Sequence, residues 1–171
     1  VVGDRVYTGA DDGNIYCINA DTGVKIWERS AGGLQVATLF SSMTQIRSSP
    51  IVVGNSLYVG AMDGNLYCLR TSDGNVEWTY TVSTTEYGLG GSPYVSEGVV
   101  YIASGDGLLY AIDAAAGTQL WNTTLTTATR YMTGTPIVVE ELDMLITYAH
   151  TGGFFGGQLL RGYNTTDGSQ L

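Results

Sequence analysis

The stretch DDGNIYCINADTGVKIW, ending at Trp27, returns in altered form 51 residues later as MDGNLYCLRTSDGNVEW, ending at Trp78. It returns again after a further 43 residues as GDGLLYAIDAAAGTQLW, ending at Trp121. A period of this length constrains the fold more than any other feature of the chain. Each unit is one supersecondary element that cannot bury its apolar faces alone, so successive units must stack.

Aligning the copies on proline fixes their extent. Pro50 stands 24 residues before Gly74, and Pro93 stands 24 before Gly117. A first copy lacks its front end but keeps Tyr7, Asp12, Gly13, Gly23 and Trp27, and a fourth begins at Gly134. In the fourth, Pro136 to Gly168 is 32 residues, and Leu171 lies one position short of the expected tryptophan. Each full copy reads as four short strands, exemplified by Ile51–Val53, Leu57–Gly60, Leu66–Arg70 and Val76–Tyr80. Asp-Gly between the second and third supplies the positive φ of a tight hairpin. Four antiparallel strands per repeat of this length make one β-propeller blade. The expected fold is therefore all-β. It comprises four four-stranded antiparallel blades at about 1–29, 48–82, 91–126 and 134–171, the last truncated at its final strand.

The recurrent tryptophan has a physical reason. A large aromatic side chain brings about 150–250 Å² to a contact. The same inter-blade gap therefore calls for the same residue, and Trp27, Trp78 and Trp121 are expected to lie mostly buried between blades. Losing one is expected to cost about 3–5 kcal/mol. Cys17, Cys68, Ala111 and Gly162 share one slot of the alignment, which wants a small buried side chain. Two cysteines so placed on successive blades lie too far apart for a disulfide.

Composition narrows the partners. Seven basic and 16 acidic residues give a formal net charge of −9. Duplex nucleic acid and anionic membrane surfaces are disfavoured. No apolar run is long enough for a membrane-spanning helix.

The pattern small-x-Asp-x-x-Thr-Gly-x-x-x-Trp resembles the tryptophan-docking motif of pyrroloquinoline-quinone-type (PQQ-like) β-propeller repeats. It is written here as Cys17-x-Asn19-x-x-Thr22-Gly23-x-x-x-Trp27 and Cys68-x-Arg70-x-x-Asp73-Gly74-x-x-x-Trp78. The third copy is Ala111-x-Asp113-x-x-Ala116-Gly117-x-x-x-Trp121, and the fourth keeps Gly162, Asn164, Asp167 and Gly168. Arg70 is the main departure at the Asp position. The resemblance implies structural docking roles for the three tryptophans and for Gly23, Gly74, Gly117 and Gly168. It also implies rings of seven or eight blades, of which four would be about half.

The family has two branches. Quinone-dependent alcohol and sugar dehydrogenases bind the quinone with calcium, use a carboxylate base, and in several cases carry a disulfide between adjacent cysteines. Cys17 and Cys68 are not adjacent, and no Glu, Asn and Asp set stands out beyond the repeat. The other branch is non-enzymatic and includes the periplasmic propeller lipoprotein of the outer-membrane protein assembly machinery. The chain is closer in character to the second. The resulting expectation is a non-catalytic, extracytoplasmic scaffold or protein-interaction module without cofactor or metal. Its partner is another protein or further propeller blades, from the same or a second chain. Two alternatives stay open: part of a quinone-dependent dehydrogenase whose active residues lie elsewhere, or a structural subunit of a surface filament or layer.

The remaining candidates weigh less. Asp11–Asn14 lacks the spaced ligands of a calcium loop and reads as a hairpin turn. His150, the single histidine, reads as a solvated loop residue. Two loops are longer than the repeat needs. Trp27 to Pro50 is 23 positions, against 15 in each of the next two copies. The second long loop is HTGGFFGGQ. Both emerge on the same face of a propeller and carry apolar residues, so Leu39, Phe40, Phe154 and Phe155 are candidate partner-binding residues. Asn122 and Asn164 begin Asn-Thr-Thr sequons. Asn122 is expected to face outward, and Asn164 to bind turn backbone.

Overall fold

The computed structural model describes residues 1–31, 45–82, 88–126, 134–150 and 158–171, and for 149, 150, 158 and 159 the backbone alone. Among these the chain forms four antiparallel sheets. The first holds β1 (Arg5–Gly9), β2 (Asn14–Asn19) and β3 (Lys25–Ser30). The second holds β4 (Ile51–Val53), β5 (Ser56–Gly60), β6 (Asn65–Arg70) and β7 (Val76–Thr81). The third repeats it as β8 (Tyr94–Ser96), β9 (Val99–Ala103), β10 (Leu108–Asp113) and β11 (Gln119–Thr124). The fourth holds β12 (Ile137–Val139), β13 (Met144–His150) and β14 (Gln158–Asn164). In each sheet the strands are hydrogen-bonded in chain order, as in a propeller blade.

The two middle blades have four strands and the two outer ones three. The first copy has no counterpart of β4 among the described residues. In the last, the stretch after Gly168 makes a single bridge, Tyr163 to Gln170, instead of a strand. A one-turn 3₁₀ helix, Glu140–Leu142, replaces the tight β4–β5 type of turn in the last blade. His150 is not a loop residue: it ends β13, opposite Gln158. Part of the second long insertion is spent on a longer hairpin, with seven residues in each of β13 and β14.

Period-two alternation gives each blade two different faces, and the cross-strand register shows which residues share one. Tyr58, Cys68 and Trp78 lie opposite one another across β5, β6 and β7. Leu57 pairs with Leu69, and Val59 with Tyr67, on the other face. The first kind of face on one blade packs on the second kind on the next. Ile15, Cys17 and Trp27 meet Leu57, Val59, Tyr67 and Leu69. Tyr58, Leu66 and Cys68 meet Val100, Ile102, Tyr110 and Ile112. Tyr101, Leu109 and Ala111 meet Leu145 and Tyr163. The core is thus three successive seams. Leu57, Val59, Leu69, Val100, Ile102 and Ile112 are wholly buried there, each worth about 1.5–3 kcal/mol of apolar burial.

One device is repeated in the outer strands of the first three blades. Between Cys17 and Ile18, Cys68 and Leu69, and Ala111 and Ile112, the register shifts by one residue. The surplus residue sits just before the tryptophan, at Ile26, Glu77 or Leu120. A bulge adds local twist and re-aims the next side chain.

Gly74 takes φ +70°, and a Cβ there would lie 2.6 Å from a ring atom of Trp27. Gly54 has a similar φ of +60° with open space around it. Gly54→Ala therefore carries backbone strain alone, about 1–3 kcal/mol. Gly74→Ala carries the same strain plus displacement of the indole. Urea unfolding is expected to show Gly74→Ala the more destabilised by about 1 kcal/mol or more; equal losses would mean that the contact is loose.

Candidate interaction surface

The chemistry of the molecule is concentrated where one blade meets the next. Trp27 Nε1 donates to the carbonyl of Thr71 at 3.0 Å. Trp78 Nε1 donates to Ala114 O, and Trp121 Nε1 to Thr165 O, each at 3.0 Å. In every case the accepting carbonyl lies three residues before the glycine over which the indole sits: Gly74, Gly117 and Gly168 respectively. Trp27 is buried, whereas Trp78 and Trp121 are half-buried, their outer edges reaching the rim of the seam. Tyr7, Tyr58 and Tyr101 flank the three indoles with ring centroids 5.8–5.9 Å away. Among the described residues no side chain lies over Gly23 and nothing is within 4 Å of its Cβ direction.

Turn chemistry holds the receiving corner. Asn19 Oδ1 accepts from the Thr22 amide at 2.8 Å, and Asp113 Oδ1 from the Ala116 amide at 2.7 Å. Asn164 Oδ1 accepts from the Thr166 amide at 2.8 Å, so this sequon asparagine is engaged with its own turn. Asn122, on β11, is exposed. Arg70 cannot accept a hydrogen bond. In that blade Arg70 instead pairs with Asp73 at 3.3 Å and Glu77 at 3.5 Å, and Asp73 accepts from the Asn75 amide at 3.0 Å, a bond that Asp167 repeats to the Ser169 amide.

The Asp-Gly hairpins are also alike. Asp12, Asp63 and Asp106 each accept from the amide two residues on, at 2.9, 2.9 and 3.0 Å. Each also accepts from a tyrosine hydroxyl four residues on, at 2.6–2.8 Å. Among the described residues no group of three or more His, Cys, Asp or Glu is arranged to hold a metal ion.

Two features escaped the sequence reading. Ile46, in the connection to β4, is buried, and its Cγ2 would overlap a Cβ on Gly9. Leu89 does the same over Gly60 in the next blade, at 2.9 Å. These side chains close the ends of two seams, and the glycines opposite them make the room. Both stand four residues before the repeat proline, a spacing that could have revealed them. The other feature is a polar patch in the third seam. Thr147 Oγ1, Arg161 Nε and Tyr163 Oη are buried without hydrogen-bond partners among the described residues. Their counterparts in the second blade are Val59, Tyr67 and Leu69. An unmet buried hydroxyl costs about 1–3 kcal/mol. Tyr163→Phe and Thr147→Val are each expected to raise the thermal midpoint, whereas Val59→Thr lowers it. A fall with both of the first two variants would mean that the hydroxyls are satisfied.

The partner-binding candidates Leu39, Phe40, Phe154 and Phe155 lie outside the described residues. Among those described, exposed apolar side chains gather on the two outer blades. Val24 is 63% exposed on the first, and Leu160 71% and Ile137 56% on the last. A cleft of about 670 Å³ opens between the second and third blades, bordered by Tyr58, Glu77, Glu97 and Asp113.

The family model for the outer membrane protein assembly factor BamB matches residues 1–89 and again 81–171. The chain belongs to the BamB family. The BamB of Salmonella typhimurium is 31% identical over 84 residues, which is 48% of this chain and 21% of that protein. The crystal structure of BamB from Moraxella catarrhalis superposes over all of this chain and 49% of its own, with a TM-score of 0.70 and 20% identity. A quinohemoprotein alcohol dehydrogenase from Pseudomonas putida superposes over all of this chain and 32% of its own, with a TM-score of 0.79 at 17% identity. At such identities these two likenesses speak for the propeller fold alone. The chain thus spans about half the length of one BamB structure, and its match to the curated BamB is a fifth of that protein's length.

Burial pushes the Cys68 thiol up from its ordinary 9.0 to about 12, with the Glu77 charge adding to it. Burial likewise raises Cys17, with Arg5 opposing. Tyr67 and Tyr110 are raised first by burial and then by their bonds to Asp63 and Asp106. A group raised on folding stabilises the fold fully below its unfolded pKa and stops doing so as pH passes its folded pKa. Stability is therefore expected to hold to about pH 9 and decline from there toward pH 12. Both thiols should resist a disulfide reagent at pH 8 until the protein unfolds. Rapid labelling of the native chain would contradict their burial.

Proposed function

We propose that the chain acts as a non-catalytic, extracytoplasmic scaffold, a set of propeller blades that presents loops and open blade faces to other proteins. The observation that carries this reading is the match to the BamB family model along the whole chain. The relatives' name, outer membrane protein assembly factor, makes a protein complex at the outer membrane the natural setting. The seams support it physically. Their indoles hold blade to blade through hydrogen bonds to backbone carbonyls, while the Asp–Tyr bonds brace the hairpin within each blade. A net charge of −9 turns partner choice away from nucleic acid and anionic lipid.

Leu39, Phe40, Phe154 and Phe155 are the proposed partner-binding side chains, on two loops longer than the repeat requires. Asn122, exposed on β11, is the proposed glycosylation position of the two sequons, since the Asn164 side chain is occupied in its turn.

The test replaces Phe154 and Phe155 with Ser. Association with outer-membrane assembly proteins, followed by site-specific crosslinking, is expected to weaken about tenfold or more, with the thermal midpoint little changed. The unaltered chain, given the quinone, calcium and a dye acceptor, is expected to show no saturable alcohol oxidation. Turnover would overturn the scaffold reading. A large loss of stability with association intact would assign the phenylalanines to the core.

A further inference from the structure

One position of the repeat is filled differently in each seam. Arg5, Ser56 and Val99 begin β1, β5 and β9 in the same register, opposite Asn19, Arg70 and Asp113. In the first seam Arg5 Nη1 donates to Thr71 O at 2.8 Å and reaches Ser72 O at 3.5 Å, beside Tyr7 and the docked Trp27. In the third seam Val99 packs on the apolar cluster. In the second, Ser56 is too short to cross the gap, and its hydroxyl donates to Glu77 Oε2 at 3.2 Å. Ala114 O corresponds to Thr71 O. It keeps the indole and the Tyr58 hydroxyl, at 3.0 and 3.2 Å, but among the described residues no guanidinium reaches it. The cleft of about 670 Å³ opens at this corner, lined by Ser56, Ala114 and Ala115 among others.

The charge around the corner differs as well. Gly54 and Arg70 of the second blade become Glu97 and Asp113 in the third. Both carboxylates line the cleft together with Glu77, and among the described residues no Lys or Arg does. Arg70 pairs with Asp73 and Glu77 at 3.3 and 3.5 Å, outside that lining. Glu97 is held at φ +48°, where the first two blades have Gly3 and Gly54 at +58° and +60°. A side chain in that conformation costs about 1–3 kcal/mol. The cleft thus carries a carboxylate at a position that glycine fills with less strain.

We propose that this cleft is a seat for an arginine side chain presented by a partner protein. The guanidinium takes the place that Arg5 takes in the first seam, donating to the Ala114 and Ala115 carbonyls with the carboxylates of Glu97 and Asp113 around it. A planar fork of five donors can serve carbonyls and carboxylates together, which a compact ammonium does less well. The volume lies within the range of about 300–1,000 Å³ usual for ligand sites, so the residues flanking the arginine also find room. Arg29 and Arg161 are engaged at Gly74 O and Gln170, and Arg5 in its own seam. A chain of net charge −9 also draws a basic segment from solution.

That a protein supplies the arginine rests on the scaffold reading. The test of that reading uses Phe154 and Phe155 and the test of the seat uses neither, so either can fail alone. The experiment titrates the chain with acetyl-Gly-Arg-Gly-amide, and with the lysine and citrulline forms of the same peptide, following backbone amide shifts by NMR. Saturable shifts are expected at Ser56, Glu97 and Ala115. The citrulline form, equal in shape but uncharged, is expected to bind about tenfold more weakly or worse, and the lysine form more weakly than arginine. Ser56→Arg rebuilds the plug of the first seam and is expected to abolish the shifts. Thr8→Arg puts the same charge at an exposed position of the first blade and should leave them intact. Glu97→Gly is expected to raise the thermal midpoint and yet weaken binding about threefold, a split that a purely structural residue would not give. The proposal is overturned by the absence of saturable shifts at the cleft, by equal affinity of the arginine peptide and either other form, or by undiminished binding in folded Ser56→Arg.

Discussion

The contact of an indole with the bare backbone of a glycine, across the gap between two sheets, is what the rest of this structure depends on. It needs three things at once: a bulge that re-aims the tryptophan, a positive-φ glycine that leaves room for it, and a carbonyl that accepts its N–H. Each is supplied by a different segment of the repeat. A blade is therefore bound to its neighbour by a contact that fixes register as well as affinity. The apolar residues of the seam provide most of the burial, but they would tolerate a slide that the indole hydrogen bond does not.

This division of labour explains where the repeat drifts and where it does not. Arg70 stands where the other blades have Asn19, Asp113 and Asn164, yet the turn keeps its closing bond from Gly74 N to Arg70 O and the bond from the Asn75 amide to Asp73. The glycines do not drift, since a Cβ at Gly74, Gly117 or Gly168 would overlap the ring above it. The third seam drifts most, with Thr147, Arg161 and Tyr163 in place of Val59, Tyr67 and Leu69. That blade also carries the longer hairpin and the 3₁₀ turn, and its apolar side chains Ile137 and Leu160 are largely exposed on the far face.

A stack of blades is quasi-one-dimensional, with each repeat in contact only with its neighbours. Among the described residues the outer face of the first blade presents the bare docking glycine Gly23 and the exposed Val24, and that of the last blade the exposed Ile137 and Leu160. The BamB relationship sets this in context. The chain spans about half of one family structure.

Much of this was legible in the residues. The proline-to-glycine spacing and the Asp-Gly turns located the strands of the second and third blades to within about a residue, because turn chemistry is local. The shared slot was legible for the same reason, as repeats place equivalent residues in equivalent surroundings: Cys17, Cys68 and Ala111 are buried there, while Gly162 in the last blade is half-buried. The sequence could not show which glycine lies under which tryptophan, since both stand in one motif yet meet across blades: Trp27 covers Gly74, not Gly23. Nor could it show Ile46 and Leu89 closing the seams, or the unmet hydroxyls of Thr147 and Tyr163. Those facts depend on side chains from separate repeats converging in space, and only the stacking of the blades decides them.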